Sequence, residues 1–296
     1  MTLDVLGLGI ATVDDLLFVP HFPAPDTKMQ ILRSERHGGG LTATALVAAA
    51  RLGAHCAYAG VLGDDPISDW IAADLQAEGV DTTYIPRRAE AQPVHAMIVV
   101  DTNAQTRTIL YEMNGKTGAD DTLPDAAVIQ AARVLFLDDF GLEGNRRAAA
   151  IARAAGIPVV ADFEFTDAPD LLALVNHLIV SAEYAQRMTG QSDPAAAVRA
   201  LWTEGRSAVV VTAGVDGCWY SEGGAVAHQP AFRVQTVDTT GCGDVFHGAY
   251  AWALARGLPL AERARYASGA AALKATRAGG RAGIPTLPQL EAFLRS

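Results

Sequence analysis

The chain reads as an α/β protein: a mostly parallel central sheet, helices on both faces as a three-layer sandwich, and a small β lid at one edge. Three observations predict this. From about residue 125 onward, short apolar runs alternate with helical patterns, and such alternation implies parallel strands joined by crossover helices. Earlier, two pairs of segments mix β-forming residues with charges and a proline, the pattern of exposed strands. The chain has 296 residues, 50% of them hydrophobic, enough to bury one large core. One domain over residues 1–296 is expected, with a lid from about 14–36 and 92–113.

The elements follow in order. "LDVLGLGI" (3–10) is a buried first strand. The lid strands are expected near 16–22, 29–36, 94–100 and 107–112, the last two as a hairpin across "TNAQT". "TATALVAAARLGA" (42–54) is a helix stopped at Gly53. "HCAYAGVLG" is a strand, and "PISDWIAADLQAEGV" a helix ending at Gly79. "RVLFLDD", "IPVVADF", "HLIVS" and "AVVVTAG" are core strands. The helices between them run through "NRRAAAIARAAG", "APDLLALVN", "AEYAQRMTG" and "PAAAVRALWTEG". A helix starts near Asp244, and "YASGAAALKATRAGGRAG" (266–283) gives a last helix and a glycine turn.

Charge and cysteines narrow the function classes. The formal net charge is −10, which argues against nucleic acid as a general partner. Cys56, Cys218 and Cys242 show neither metal spacing nor a redox pair, so they read as reduced thiols of a cytoplasmic protein. The N-terminus carries Asp4 and no basic segment, unlike a signal peptide. No apolar run reaches membrane length.

The most informative stretch is "VDTTGCGDVF" (237–246). Gly241 and Gly243 flank Cys242 just before an apolar helical pattern. A glycine turn feeding a helix leaves backbone N–H groups free, and the helix dipole favours an anion there. Asp238 and Asp244 lie in the same turn, so a base is held beside an anion site. Asp is also common in first helical turns for structural reasons alone.

The longer run D-T-T-G-C-G-D-x-F resembles the C-terminal motif of the PfkB/ribokinase family of sugar and nucleoside kinases. "HGGGLTATALVAAARLGA" (37–54) is similar to that family's N-terminal motif at Gly39, Gly40 and Ala50–Gly53. The likeness spans Gly9 to Gly283, and its flavour is nearest the ketohexokinase and sulfofructose kinase branches. It implies ATP-dependent transfer of a phosphoryl group to a sugar hydroxyl, on a ribokinase-like fold. It makes Asp244 the general base and the Gly241–Cys242–Gly243–Asp244 turn the anion hole, parts that phosphoryl transfer needs. Asp14, Gly39, Gly40 and Thr44 are implied on the sugar side. Thr44 replaces an Asn that commonly bonds a sugar hydroxyl, and it has fewer polar atoms.

On the nucleotide side the resemblance implies Thr212, Gly214 and Gly217 of "VVVTAGVDG", together with Thr239 and Gly279. The N-x-x-E motif that acts through water on Mg²⁺ is degenerate here, as Ser181-Ala182-Glu183-Tyr184, leaving Glu183 shifted by one. Mg²⁺ is then held mainly by ATP phosphates and water, and the family also admits a monovalent cation such as K⁺. Lys28 and Arg107 fall on expected lid strands where a substrate anion could meet them.

Other motifs carry less. Gly7 and Gly9 form only a partial dinucleotide fingerprint, because Thr12 stands where the third glycine belongs. "NGKTG" (114–118) mimics the end of a P-loop, but Leu110 occupies its leading glycine position, so a turn is expected. A ketose-like substrate is the main expectation. A nucleoside kinase and a non-catalytic sugar- or nucleotide-binding protein on the same fold are the alternatives. Unpaired lid edges predict a homodimer through the lids.

Overall fold

The computed structural model describes residues 2–296. Its first part runs β1 (Leu3–Leu8), β2 (Thr12–Val19), β3 (Arg33–Gly39), α1 (Leu41–Arg51), β4 (Cys56–Tyr58), α2 (Pro66–Ala77), β5 (Val94–Asp101) and β6 (Thr106–Glu112). The middle runs α3 (Ala126–Gln130), β7 (Ala132–Asp138), α4 (Leu142–Ala154), β8 (Val159–Asp162), α5 (Pro169–Leu174), β9 (His177–Ser181), α6 (Ala182–Thr189) and α7 (Pro194–Leu201). It closes with β10 (Ala208–Thr212), β11 (Cys218–Ser221), β12 (Ala227–Gln229), α8 (Cys242–Ala255), α9 (Leu260–Lys274) and α10 (Leu287–Arg295).

Eight strands form the main sheet in the order β12-β11-β10-β9-β8-β7-β1-β4. All pairings from β10 to β4 are parallel, and β11 and β12 add an antiparallel edge. Strand residues alternate between the two faces. Val5, Val134, Phe136 and Val210 meet α1, α2, α8, α9 and α10, whereas Leu6, Leu135, Leu137 and Val211 meet α3 to α7. Both faces are therefore covered, and the strands read as continuous apolar runs for that reason.

β3-β2-β5-β6 form a separate four-stranded sheet. It is the expected lid, with shifted ends. The first strand starts at Thr12 and stops before Pro20, and the second starts only at Arg33. Pro20, Pro23 and Pro25 lack the N–H that a ladder needs, so the segment between the strands is a loop. Lys28 falls in that loop, exposed, and not on a strand as expected.

Other differences are local. β4, at the edge of the main sheet, shortens to Cys56–Tyr58. The last long helix begins at Leu260, ahead of the expected start, and the segment after Lys274 is turn. β11, β12 and α10 had no counterpart in the sequence reading. "NGKTG" is a turn, its Lys116 paired to Asp120 and Asp121. Among the described residues no helix is long and apolar enough to cross a membrane.

Candidate active site

Four strand ends and the turn after β1 lie at the carboxyl edge of the parallel strands, where open α/β sheets bind ligands. Asp138 ends β7, Asp162 ends β8, Ser181 ends β9 and Thr212 ends β10. Between β1 and β2 the chain turns at Gly9 into the lid. A side chain at Gly9 would collide with Thr42 Oγ1 and Asp138 Oδ2. That contact explains the glycine without any dinucleotide.

The turn before α8 is built by Asp238. Its Oδ1 accepts from Thr240 N at 2.9 Å and Thr240 Oγ1 at 2.7 Å, and its Oδ2 accepts from Gly279 N at 2.9 Å. Gly241 caps the helix at φ 75°, a left-handed conformation that favours glycine. The Cys242 N–H donates to Thr239 O at 3.1 Å. This corrects the expectation that all N–H groups from Gly241 to Asp244 form the hole. Among the described residues the N–H groups of Gly241, Gly243 and Asp244 have no acceptor outside α8, so Cys242 alone drops out of the expected set.

Asp244 lies in the first turn of α8, partly open and otherwise enclosed by protein. Burial holds its carboxyl well above the usual carboxylate range, and Asp162 and Glu164 push the same way, while His247 and Arg281 oppose them. His247 sits three residues on, buried, with Nδ1 2.8 Å from Gly243 O and Nε2 3.1 Å from Ile179 O. A neutral imidazole donates only once, so one of these carbonyls faces a lone pair unless the ring holds a second proton. Asp162 Oδ2 lies 3.2 Å from the same Nδ1 and has no hydrogen bond of its own. Burial raises the Asp162 carboxyl. Burial also lowers the His247 imidazole.

A mostly apolar cavity of 230 Å³ opens beside this turn. Thr212, Gly214, Gly217 and Thr239 line it, with Phe232 and the α9 residues Ser268 and Ala271 on other walls. Gly214 and Gly217 have φ 54° and 88°, and a side chain at Gly217 would strike the Gln229–Ala231 backbone. Cys242 and Gly243 also reach this cavity. Burial is the main cause that raises the Cys242 thiol, ahead of Asp238 and Asp244, with Lys274 opposing.

A second cavity of 620 Å³ lies between the lid and the glycine turns. Asp14, Arg107, Gly279 and Gly280 line it, and Thr239 lines both cavities. Gly279 thus faces the lid and not the apolar cavity, because its N–H is tied to Asp238. Asp14 on β2 accepts weakly from Thr12 Oγ1 at 3.4 Å, and burial raises its carboxyl. Its neighbour Asp15 points the other way, into Arg36 at 2.7 Å and His95 at 2.8 Å, which hold its carboxyl at about 2. Arg107 crosses from β6 to donate to Thr240 Oγ1, with Asp238 Oδ1 at 3.6 Å.

Gly39 and Gly40 admit the lid to the core. A side chain at Gly39 would meet Thr12 and Asp14, and Gly40, at φ 93°, packs on the Ile10 backbone. Thr44 is the clearest departure. It is buried and lines neither cavity, and its Oγ1 accepts from Arg281 Nε at 3.3 Å. Arg281, also buried, donates to Asp74 at 2.7 Å and to Gly39 O at 2.8 Å. The guanidinium fills the space behind Thr44. Lys28 lines neither cavity, and Glu183 lies exposed at the start of α6.

Sequence reasoning missed Arg281, Asp162, Glu164, His247 and Lys274. "ADFE" offered an acid at the end of an apolar run, and "DVFHGAY" placed His247 on the apolar face of its helix. Those two signals were available, whereas nothing local marks Arg281 or Lys274.

Two cavities that meet at a glycine turn with open N–H groups, beside an enclosed carboxylate, suit a protein that moves an anionic group between two ligands. The profile of the pfkB family carbohydrate kinases matches residues 3–287, and the chain belongs to that family: it is a sugar kinase of the ribokinase type. A ribokinase of Haemophilus influenzae is 30% identical over 305 residues, covering 97% of this chain and 97% of that one. An aminoimidazole riboside kinase of Salmonella typhimurium is 30% identical over 87% of this chain and 88% of its own. The structure of Arabidopsis thaliana ribokinase complexed with ribose and ATP superposes with a TM-score of 0.89 at 23% identity, covering 100% of both chains.

Proposed function

We propose that the chain transfers the γ-phosphoryl group of ATP to a hydroxymethyl group of a ketose-like sugar, with Asp244 as general base. The observation that carries this reading is the α8 N-terminus. It places an enclosed carboxylate in the same helical turn as two open N–H donors, next to Gly243, which lines the apolar cavity, and a few residues from Thr239, which lines both cavities. Asp244 takes the hydroxyl proton as the oxygen attacks phosphorus, and the Gly243 and Asp244 N–H groups stabilise the growing negative charge. ATP suits the apolar cavity, whose Thr212, Gly214 and Gly217 leave room for a base plane. The sugar suits the lid cavity beside Asp14.

A magnesium ion fits the surplus of carboxylates here, above all the unpartnered, buried Asp162 Oδ2. Asp162 and Glu164, which act electrostatically on Asp244, are better placed to face it through water than Glu183. Bound with ATP, it would neutralise phosphate charge. Such an ion keeps much of its water, so few side chains need to touch it directly.

We take a ketose over ribose because Thr44 stands where an Asn amide would meet a sugar hydroxyl, and its side chain is buried and accepts from Arg281 instead. ADP release measured over ketoses, pentoses and nucleosides tests the reading. Turnover highest on a ketose supports it, ribose or a nucleoside as the best acceptor overturns the substrate, and no ADP release with any acceptor overturns the activity.

A further inference from the structure

Lys274 has no part in the chemistry above, yet it is 0% exposed, the one buried lysine of the three in the chain. Burying an ammonium is costly unless its environment compensates. Its Nζ donates to the carbonyl oxygen of Asp238 at 2.9 Å. That carbonyl belongs to the turn whose side chain orders Thr240 and Gly279. The N–H groups of Val237 and Asp238 both donate to Ala275 O, at 2.8 and 3.2 Å. The turn before α8 and the turn after α9 are therefore stitched together directly over the ammonium. The charged or titratable groups that face it are Asp238 and, from α8, Cys242 and Asp244; Arg107 opposes from the lid.

We propose that Lys274 is the built-in cation of the anion hole. Its ammonium fixes the Asp238 carbonyl, so that the turn presents the Gly243 and Asp244 N–H groups in one orientation. It also sets a positive charge behind the point where phosphoryl charge develops, an arrangement whose value grows in a water-poor site. A monovalent cation such as K⁺ drawn to the Asp238 carbonyl would meet the ammonium already bound there. The lysine makes such an ion unnecessary, so this enzyme turns over without K⁺. Lys274 acts through the turn and is a positioning residue. The inference rests on the kinase reading for its kinetic arm.

The full-length protein is assayed with ATP, Mg²⁺ and an accepted sugar in tetramethylammonium, sodium and potassium buffers. Wild-type turnover should agree across the three within about twofold. Lys274→Met should lose about tenfold or more in kcat, the scale of a lost electrostatic contact to the hole, with sugar KM little changed. High K⁺ or methylammonium should restore part of it, a recovery that a merely structural lysine would not show. Crystals grown in caesium chloride give a second readout that needs no turnover. The anomalous map of the wild type should hold no caesium at the Asp238 carbonyl, and that of Lys274→Met should. Severalfold activation of the wild type by K⁺, caesium at that carbonyl in the wild type, or a Lys274→Met enzyme with unchanged kcat each overturns the proposal. If the variant does not fold, the wild-type salt series and caesium map still decide. If no acceptor is phosphorylated, the kinase reading falls while the caesium map judges Lys274 alone.

Discussion

At Asp244 two demands oppose each other. A base must be ionised to accept a proton, yet burial with Asp162 and Glu164 nearby favours the protonated acid. A raised carboxyl is a stronger base once ionised, so turnover should climb with pH as Asp244 loses its proton. Asp244→Asn removes the base and should cut kcat by about 10²-fold or more while ATP affinity changes little; near-normal turnover would refute its role. Cys242 makes a contrasting case. Its N–H is spent on Thr239 and its thiol is raised by burial, so Cys242→Ala should keep activity within about twofold, as a small-residue exchange does. A bulky alkyl adduct should block the apolar cavity that the thiol lines, and ATP should protect against it. Peptide mapping of alkylated protein, alongside activity with and without ATP, checks both. Asp244 and the glycine cap were legible because they are contiguous in sequence and the chemistry requires them together. Arg281 was not. It reaches Thr44 and Asp74 across 237 and 207 residues, and no local pattern encodes such a meeting.

Among the elements, Asp138 ties three together. Its Oδ2 accepts from Ile10 N at 2.7 Å at the entry to the lid and from Thr42 Oγ1 at 2.8 Å at the start of α1, and its Oδ1 accepts from Phe140 N at 2.9 Å after β7. Burial lifts its carboxyl to about 7, above the value near 4 of an unfolded aspartate. Between those values the folded chain holds a proton that the unfolded chain has released. This contribution to stability is therefore full below about pH 4 and is lost as pH rises towards 7. Asp138→Asn should flatten that slope and lower Tm by several degrees, since an amide would aim N–H groups at N–H donors, about 1–3 kcal/mol for an unsatisfied group. Melts from pH 4 to 8 measure both, and an unchanged slope would count against Asp138. The core strands were legible because both faces are apolar, and the lid strands because they are not. The ends were harder. β11 and β12 are 4 and 3 residues long, too short for an alternation to register. In "VPHFPAP" the prolines set a loop where β-forming side chains alone suggested a longer strand.

For the whole molecule, the lid leaves surface that the fold does not cover. β3 and β6 are its two edges, and β6 is exposed along its full length. Leu110 is 58% and Tyr111 67% exposed on that strand, with Ile109 and Met113 close by. Unpaired N–H and C=O groups beside apolar side chains invite another strand or sheet. Arg107 ties the lid to Thr240 and Asp238, but that contact lies at the cavity and leaves the outer strand bare. We propose that a second copy of the chain covers it, lid against lid, so that each lid is braced over its own cavity. Light scattering at micromolar concentration should give about twice the 31.0 kDa of one chain. Leu110→Glu with Tyr111→Lys should shift that mass to the monomer and loosen the lid, because burying either charge costs far more than an exposed one gains. The loosened lid should raise sugar KM more than it lowers kcat, as Asp244 and the α8 donors stay in place. A wild-type mass of one chain, or a double variant that keeps both its mass and its KM, would leave the exposed strand without this partner.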